Sequence, residues 1–350
     1  MALSKIDPDG LNVGQIGGRR NLIINGAQTV DQRFSGSSEL KGSGAKYHTD
    51  RFVVYSQAAS KITAQQVSEA PAGFKNSLQL TVTNAVTLGA TDQYMLQQRI
   101  EGQNVANLAF GTASAETVTL SFYVRSSVTG THSGVLLNGS ENRNYPFTYT
   151  ISAANTWERI SVTIAGDTSG TWVTTNAVGM WVKWNLGTGS TYLGTAGAWS
   201  GSSYLSGATG SVQLIETASA TFYITGVQLE VGGTATPFEH RSFGEELALC
   251  QRYYQLVTSG NMMAGTSTNV YLNPQFAVEM RATPSVGQTG VMIVNNSSAN
   301  KTQSSVGTIF SGGDTRGAFI QVTNFSGLET TYGATNRYTN TNALTLDAEL

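Results

Sequence analysis

From Asn21 onward, apolar and polar residues alternate with a period of two in segment after segment, and this constrains the fold more than any other feature of the chain. Leu78, Leu80 and Val82 alternate with Gln79, Thr81 and Thr83. Val118, Leu120, Phe122 and Val124 alternate with Thr119, Ser121, Tyr123 and Arg125. Successive side chains of a strand point to opposite faces, so such segments read as strands with one buried face. Further strands are expected at 95–101, 158–164, 178–186, 211–215 and 221–231. Gly, Asn and Ser turns separate them and no helical stretch intervenes. Residues 21–240 therefore read as a two-sheet antiparallel sandwich of jelly-roll type, making the chain all-β. No internal repeat is visible, which counts against a propeller or a β-helix.

The alternation breaks at Gly232, Gly233 and Pro237, and a helix signal follows. Ser242 with Glu245 three residues later reads as a capping box, in which each side chain satisfies a backbone donor at the helix start. Phe243, Leu247, Cys250 and Tyr254 then share one helical stripe in a linker helix spanning 241–258. A helix this short needs a partner surface. The candidates are the jelly-roll surface and copies of the helix around a threefold axis. In the second case Leu247, Cys250 and Tyr254 would be buried between subunits. Strands are expected again near 268–280, 290–295, 304–311, 317–323 and 343–350, giving a smaller C-terminal β-domain over 259–350. Residues 1–20 mix isolated apolar residues with Gly and charge and read as an arm that docks onto a partner.

Charged residues make up 12% of the chain, about half the usual share, and Ser and Thr together outnumber them. Hydroxyl and amide groups must therefore carry solubility. They also exchange hydrogen bonds with sugar hydroxyls without desolvating a full charge. The net charge is −2 and Lys/Arg clusters are missing, which argues against nucleic acid as a partner. The single cysteine, Cys250, excludes an intrachain disulfide and a Cys-rich zinc site, and on the helix stripe it reads as a small buried apolar residue. No apolar run reaches the length of a transmembrane helix, so membrane insertion is not expected. The start MALSKIDPDG lacks the apolar core of a signal peptide, and the expectation is synthesis in a cytoplasm without a secretion address.

Chemistry is sparse. His48, His132 and His240 show no metal-ligand spacing and read as surface or hydrogen-bonded histidines. Asp7-Pro8-Asp9-Gly10 looks like the start of a calcium loop but has no Glu at the twelfth position, and reads as a turn. No cofactor and no metal site is expected, although a structural calcium elsewhere in the sandwich stays open. Glycan hydrolysis needs two carboxyl groups across the scissile bond. The candidates Glu101, Glu158, Asp167, Glu216 and Glu230 all read equally well as strand-edge or turn residues, so the expectation is a protein that is not an enzyme.

Aromatic residues are more telling. Trp172, Trp181, Trp184, Tyr192, Trp199 and Tyr204 crowd between 172 and 204, in a segment rich in Gly, Ser and Thr. Sugar C–H faces stack on aromatic rings, and neighbouring hydroxyls and amides fix orientation. Trp184 shares the parity of Met180, Val182 and Leu186 and reads as core, whereas Trp181 has the opposite parity. The candidate glycan-contacting residues are Trp172, Trp181, Tyr192, Trp199 and Tyr204, with Trp199 and Tyr204 foremost.

The segments GGRRNLIINGA (ending at Ala27), QQRIEGQNVANLAFGTASAETVTLSFYVRSS (97–127), TWERISVTIAGDTSGTW (156–172) and FYITGVQLEVGGTATPFEHRSFGEELALCQRYYQ (222–255) resemble a family of bacteriophage tail-fibre and related virion proteins. The family is found in phages of marine and freshwater bacteria, cyanophages included. FAVEMRATPSV (276–286) and the terminal TLDAEL carry a looser likeness. The resemblance implies a carbohydrate-binding-module-like jelly roll, assembly as a homotrimer and localisation on the virion. It also implies an N-terminal arm attached to a tail, baseplate or adaptor protein, and adhesion to a host-surface glycan. Two other functions remain open at this point: a depolymerase of capsule or lipopolysaccharide, and a purely structural head-fibre, collar or adaptor part.

Overall fold

The computed structural model describes residues 20–295, 300–328 and 336–350. Apart from Arg20, the expected N-terminal arm lies outside the described residues. The chain divides into two units between Phe243 and Gly244.

In the first unit the strands follow in the order β1 (Glu39–Leu40), β2 (Gly44–Tyr47), β3 (Phe52–Ser56), β4 (Ile62–Val67), β5 (Ser77–Val82), β6 (Gln93–Glu101) and β7 (Val118–Ser126). They continue with β8 (Gly130–Asn138), β9 (Asn144–Ile151), β10 (Glu158–Ile164), β11 (Val178–Thr188), β12 (Leu193–Gly194), β13 (Gly207–Ala208) and β14 (Thr221–Val231). One sheet has the order β1-β4-β5-β14-β7-β10 and the other β2-β3-β6-β11-β8-β9. All pairings within both sheets are antiparallel. The chain crosses repeatedly from one sheet to the other, which is the jelly-roll form of a β-sandwich.

The inward faces follow from the sequence alternation. Leu78, Leu80 and Val82 on β5 and Val118, Leu120, Phe122 and Val124 on β7 are all fully buried. Phe52, Leu96, Met180, Val182 and Trp184 of the other sheet join them in one core. Trp184 meets Phe122 edge-on, with ring centroids 5.8 Å apart.

Strand β14 keeps a buried face only by changing parity. Between Thr225 and Gln228 its register slips against β7, with Gly226 at φ +60°, the left-handed geometry of a glycine bulge. The inward set thereby changes from Phe222 and Ile224 to Val227 and Leu229, all four fully buried. Segment 20–27 lies against this bulge. Leu22 N–H donates to Leu229 O (2.9 Å) and Val227 N–H to Gly26 O (3.0 Å). A Cβ at Gly26 would come within 2.1 Å of Val227 O. The Gln98 amide on β6 both donates to Ile24 O (2.9 Å) and accepts from Ile24 N–H (3.0 Å), tying this segment to the opposite sheet.

Helix α1 (Phe243–Gln251) starts at the boundary, and all but its first residue belongs to the second unit. That unit continues with β15 (Tyr254–Ala264), β16 (Val270–Leu272), β17 (Ser285–Gln288), β18 (Ile293–Asn295), β19 (Asn300–Thr302), β20 (Thr308–Gly313), β21 (Ala318–Val322) and β22 (Asn336–Asp347). The sheet order is β19-β18-β22-β15-β16-β21-β20, with β17 also pairing β22. Val270, Met292, Val294, Ile320, Val322, Leu344 and Leu346 form its own core. No helix among the described residues is long and apolar enough to cross a membrane.

Three expectations are corrected. The strand expected at 211–215 is instead a 3-10 turn, Leu214–Glu216, because Leu214 and Ile215 both enter the core. The helix expected over 241–258 stops at Gln251. Tyr254 begins β15 and pairs with Asp347 of β22, so sheet pairing overrides the helical spacing there. The expected oligomer stripe is not available as such: Cys250 and Tyr254 are buried within the single chain, while Phe243 is 61% exposed. Of Leu247, Cys250 and Tyr254, only Leu247 keeps part of its surface.

Candidate functional site

The outward face of the second sheet carries the site. Alternation on β6 turns Gln93, Met95, Gln97 and Arg99 away from the core, while Tyr94, Leu96 and Ile100 point in. Strand β11 does the same with Trp181 and Lys183, and the register sets Trp181 beside Arg99 and Lys183 beside Gln97. On β3, Tyr55 pairs with Met95 and with Ala45 of β2.

Part of this face is covered. Val135 and Leu137 of β8 pack with Leu205 and Trp181, so the Gly/Ser-rich segment after β11 is seated on the sheet rather than standing free. Its ends are held by parallel pairing of β12 with β13. Asn144 and Ser200 exchange backbone bonds at 3.0 and 2.8 Å, which fixes its middle to the edge strand β9. What remains is a groove of about 360 Å³ lined by Ala45, Tyr55, Gln93, Met95, Gln97, Arg99, Glu141, Trp181, Lys183, Tyr192 and Tyr204.

Electrostatics within the groove are concentrated. Lys183 is buried and donates to Glu141 Oε2 at 2.5 Å. Burial pushes its ammonium below the usual lysine range, and the Glu141 charge opposes that push. The Arg99 guanidinium lies 4.6 Å from the Trp181 ring centroid and the Lys183 ammonium 5.3 Å from it, both within cation–π reach. The indole N–H donates to Gly139 O (3.3 Å). At the rim, Tyr204 is 54% exposed and has φ +61°. A non-glycine residue in this region carries strain of order 1 kcal/mol. It is held there by its N–H, which donates to Glu141 O (2.9 Å), and its carbonyl accepts from Gln93 Nε2 (3.3 Å).

Of the five aromatic candidates, the fold brings Trp181, Tyr192 and Tyr204 together. Trp172 and Trp199 fall elsewhere. They pack edge-to-face on one another at 5.6 Å and on Phe110 at 4.8 and 5.9 Å, half-buried against the main core. The Trp199 N–H donates to Ala165 O (2.7 Å). Their rings brace loops, and neither lines the groove. Sequence reading missed Tyr55, Gln93, Met95, Gln97, Arg99 and Lys183, whose only signal was outward parity, the same as for any solvated strand face, and Glu141, which lies in the turn between β8 and β9 and gave no signal.

The carboxylate candidates do not converge. Asp167 accepts from both Nε and Nη2 of Arg143 (2.7 and 2.6 Å), and Glu230 accepts from Thr236 and Gln228. Glu158 takes the N–H groups of Ser152 and Ala153. None of the five expected carboxylates lines the groove. His240 is exposed, and His132 is buried with Nε2 3.0 Å from Val128 O. His48, expected to be a surface or hydrogen-bonded histidine, is fully buried and stacked on Phe34 at 4.7 Å. Among the described residues no group of three His, Cys, Asp or Glu side chains is placed to hold a metal ion.

No protein-family model matches the chain, and no curated protein matches it. Several solved structures are similar to it. A putative sugar binding protein from Bacteroides thetaiotaomicron shares 12% identity over 61% of this chain and 100% of its own, with a TM-score of 0.37. The enzymatically active domain of tailspike protein 4 from bacteriophage CBA120 shares 13% over 60% of this chain, with a TM-score of 0.32. The present chain spans 21% of that tailspike chain. A family 11 carbohydrate-binding module from Clostridium thermocellum, in complex with a β-1,3-1,4-mixed-linked tetrasaccharide, shares 14% over 57% of this chain and 100% of its own, with a TM-score of 0.28.

Proposed function

We propose that the first unit is a non-catalytic carbohydrate-binding sandwich that takes a glycan chain in the groove on the outward face of β3, β6 and β11. The observation that carries the reading is the groove itself: Tyr192 and the strained, exposed Tyr204 line it together with Gln93, Gln97 and Tyr55. Rings for sugar C–H faces and amides for hydroxyls are the two groups that saccharide recognition needs. Glu141 is the sole carboxylate among the lining residues and is engaged by Lys183. That supports binding rather than hydrolysis, which would use a second carboxyl group across the bond.

The sequence resemblance to phage tail-fibre proteins supports a setting on a virion appendage. There, an N-terminal arm anchors the chain, and the glycan-binding face and the second unit serve adhesion to the host surface. In a trimer, individually weak contacts would combine through avidity.

The test is affinity electrophoresis of the full chain through gels containing a panel of neutral and acidic polysaccharides. Retardation by at least one polymer is expected, and Tyr204→Ala should weaken it roughly tenfold, the loss of about 1.4 kcal/mol of ring contact, with thermal unfolding unchanged. No retardation by any polymer, or undiminished retardation of the variant, overturns the reading.

A further inference from the structure

We infer that the second unit holds a saccharide site of its own, for a neutral sugar, at the hairpin of β20 and β21; this rests on the adhesive role proposed above for that unit and not on the groove. Alternation along β21 buries Ala318, Ile320 and Val322 and turns Phe319 outward, where it is 42% exposed. The register that sets Tyr271 of β16 against Gln321 brings the Tyr271 ring onto Phe319, within 17° of parallel and with centroids 5.3 Å apart. One face of the phenyl ring is thereby covered and its orientation fixed, which leaves the other side as the exposed one. Opposite Phe319 on β20 stands Gly312, where a Cβ would meet nothing within 4 Å, so the flank of the ring is open. The ring borders a depression of about 590 Å³, lined also by Asn273, Gln275, Asp314 and Arg316.

The hairpin is shaped before any ligand arrives. Asp314 Oδ1 accepts from the N–H groups of Arg316 (2.7 Å) and Gly317 (3.2 Å), and the Met280 N–H donates to Thr315 O (2.7 Å). Little ordering entropy is therefore lost on binding. Other polar groups are left for a ligand: among the described residues, Asp314 Oδ2 and the exposed side-chain amides of Asn273 and Gln275 have no hydrogen-bond partner. A carboxylate oxygen accepts from sugar hydroxyls, an amide both donates and accepts, and the C–H face of a pyranose stacks on the phenyl ring. Arg316 is the sole cation in the lining, and its Nε donates to Glu279 Oε2 at 3.3 Å. The charge that faces the ligand is thus the Asp314 carboxylate, which repels a uronate or a sulfate ester and favours a neutral sugar.

The experiment applies the full chain to an array of neutral mono- and oligosaccharides as the unaltered protein, Tyr204→Ala, Phe319→Ala and the double variant. Expected is at least one glycan that the Tyr204→Ala chain still binds and that adding Phe319→Ala weakens roughly tenfold. Phe319→Trp should keep that binding, because it retains a ring. Joint substitution Asn273→Ala and Gln275→Ala should weaken it comparably, with an unchanged melt by circular dichroism, since neither side chain holds the fold together. Should Phe319→Ala fail to fold, this amide pair decides. If the Tyr204→Ala chain binds no neutral glycan, the site in the second unit is overturned, and binding by the unaltered chain then leaves the groove standing. Binding that survives Tyr204→Ala but is indifferent to both Phe319→Ala and the amide pair also overturns the site. Binding undiminished by Tyr204→Ala and lost with Phe319→Ala supports this site and counts against the groove instead.

Discussion

Lowering the pH should destabilise the sandwich through His48. This side chain is fully buried, stacked on Phe34 at 4.7 Å, with the Lys41 ammonium 4.6 Å from that same ring. Burial, and secondarily the Lys41 charge, push the imidazole from 6.5 down to about 3. Its folded value therefore lies below its unfolded value. The unfolded chain takes up a proton as pH falls through 6.5, and the folded chain does not until about 3. The contribution is full above 6.5 and is lost progressively between 6.5 and 3. At 1.36 kcal/mol per pH unit, the loss between pH 7 and pH 5 comes to about 2 kcal/mol, reaching about 4 kcal/mol by pH 3. All five tryptophans, Trp157, Trp172, Trp181, Trp184 and Trp199, lie in the first unit, so urea unfolding followed by tryptophan emission reports on the sandwich alone. The comparison is between the natural chain and His48→Phe at pH 7 and pH 5. The variant keeps a ring to stack and loses the proton site, so its pH-dependent loss should be smaller by about 2 kcal/mol. His132, also depressed by burial, and Asp50, raised by burial and so acting in the opposite sense, are present in both proteins and cancel. An identical pH dependence in the two proteins would refute the reasoning.

Other substitutions separate stability from binding. Trp199→Ala should lower stability by about 2–3 kcal/mol in a thermal melt while polysaccharide retardation stays unchanged, because this ring packs on Trp172 and Phe110 and not in the groove. Gly226→Val requires a side chain at φ +60° with Phe74 Cζ 2.6 Å and Tyr123 Cδ2 2.9 Å from the new Cβ. It should cost more than about 2 kcal/mol, and a melting temperature within a degree of the natural chain would contradict the bulge assignment. Asp167→Asn removes a bidentate ion pair whose carboxylate is almost wholly buried. A loss of about 2–4 kcal/mol is expected in urea, and Arg143→Met in the same background should recover part of it.

Where strands lie was readable because burial on one face imposes an alternation that needs no knowledge of the partner. The segments 118–124, 158–164 and 221–231 are strands for that reason, and Trp184 is core while Trp181 faces out by parity alone. Other strands carried weaker local signals. In β9 the proline at 146 breaks the pattern, and the structure tolerates it because β9 is the edge of its sheet. Leu214 and Ile215 mimic a strand and Tyr254 mimics a helix stripe, because core-plugging and sheet pairing are decided by residues far away in the chain.

The groove shows the same division. Period-two patterning sets, residue by residue, which side chains leave the core, and so the sequence by itself determined an all-β chain with polar, aromatic outer faces. That Trp181 carries the guanidinium of Arg99, that Tyr204 stands over Gln93, and that Trp199 turns away to brace Phe110 follow only from strand register and from the seating of segment 189–212. Those are sums over many distant contacts, and no local period encodes them.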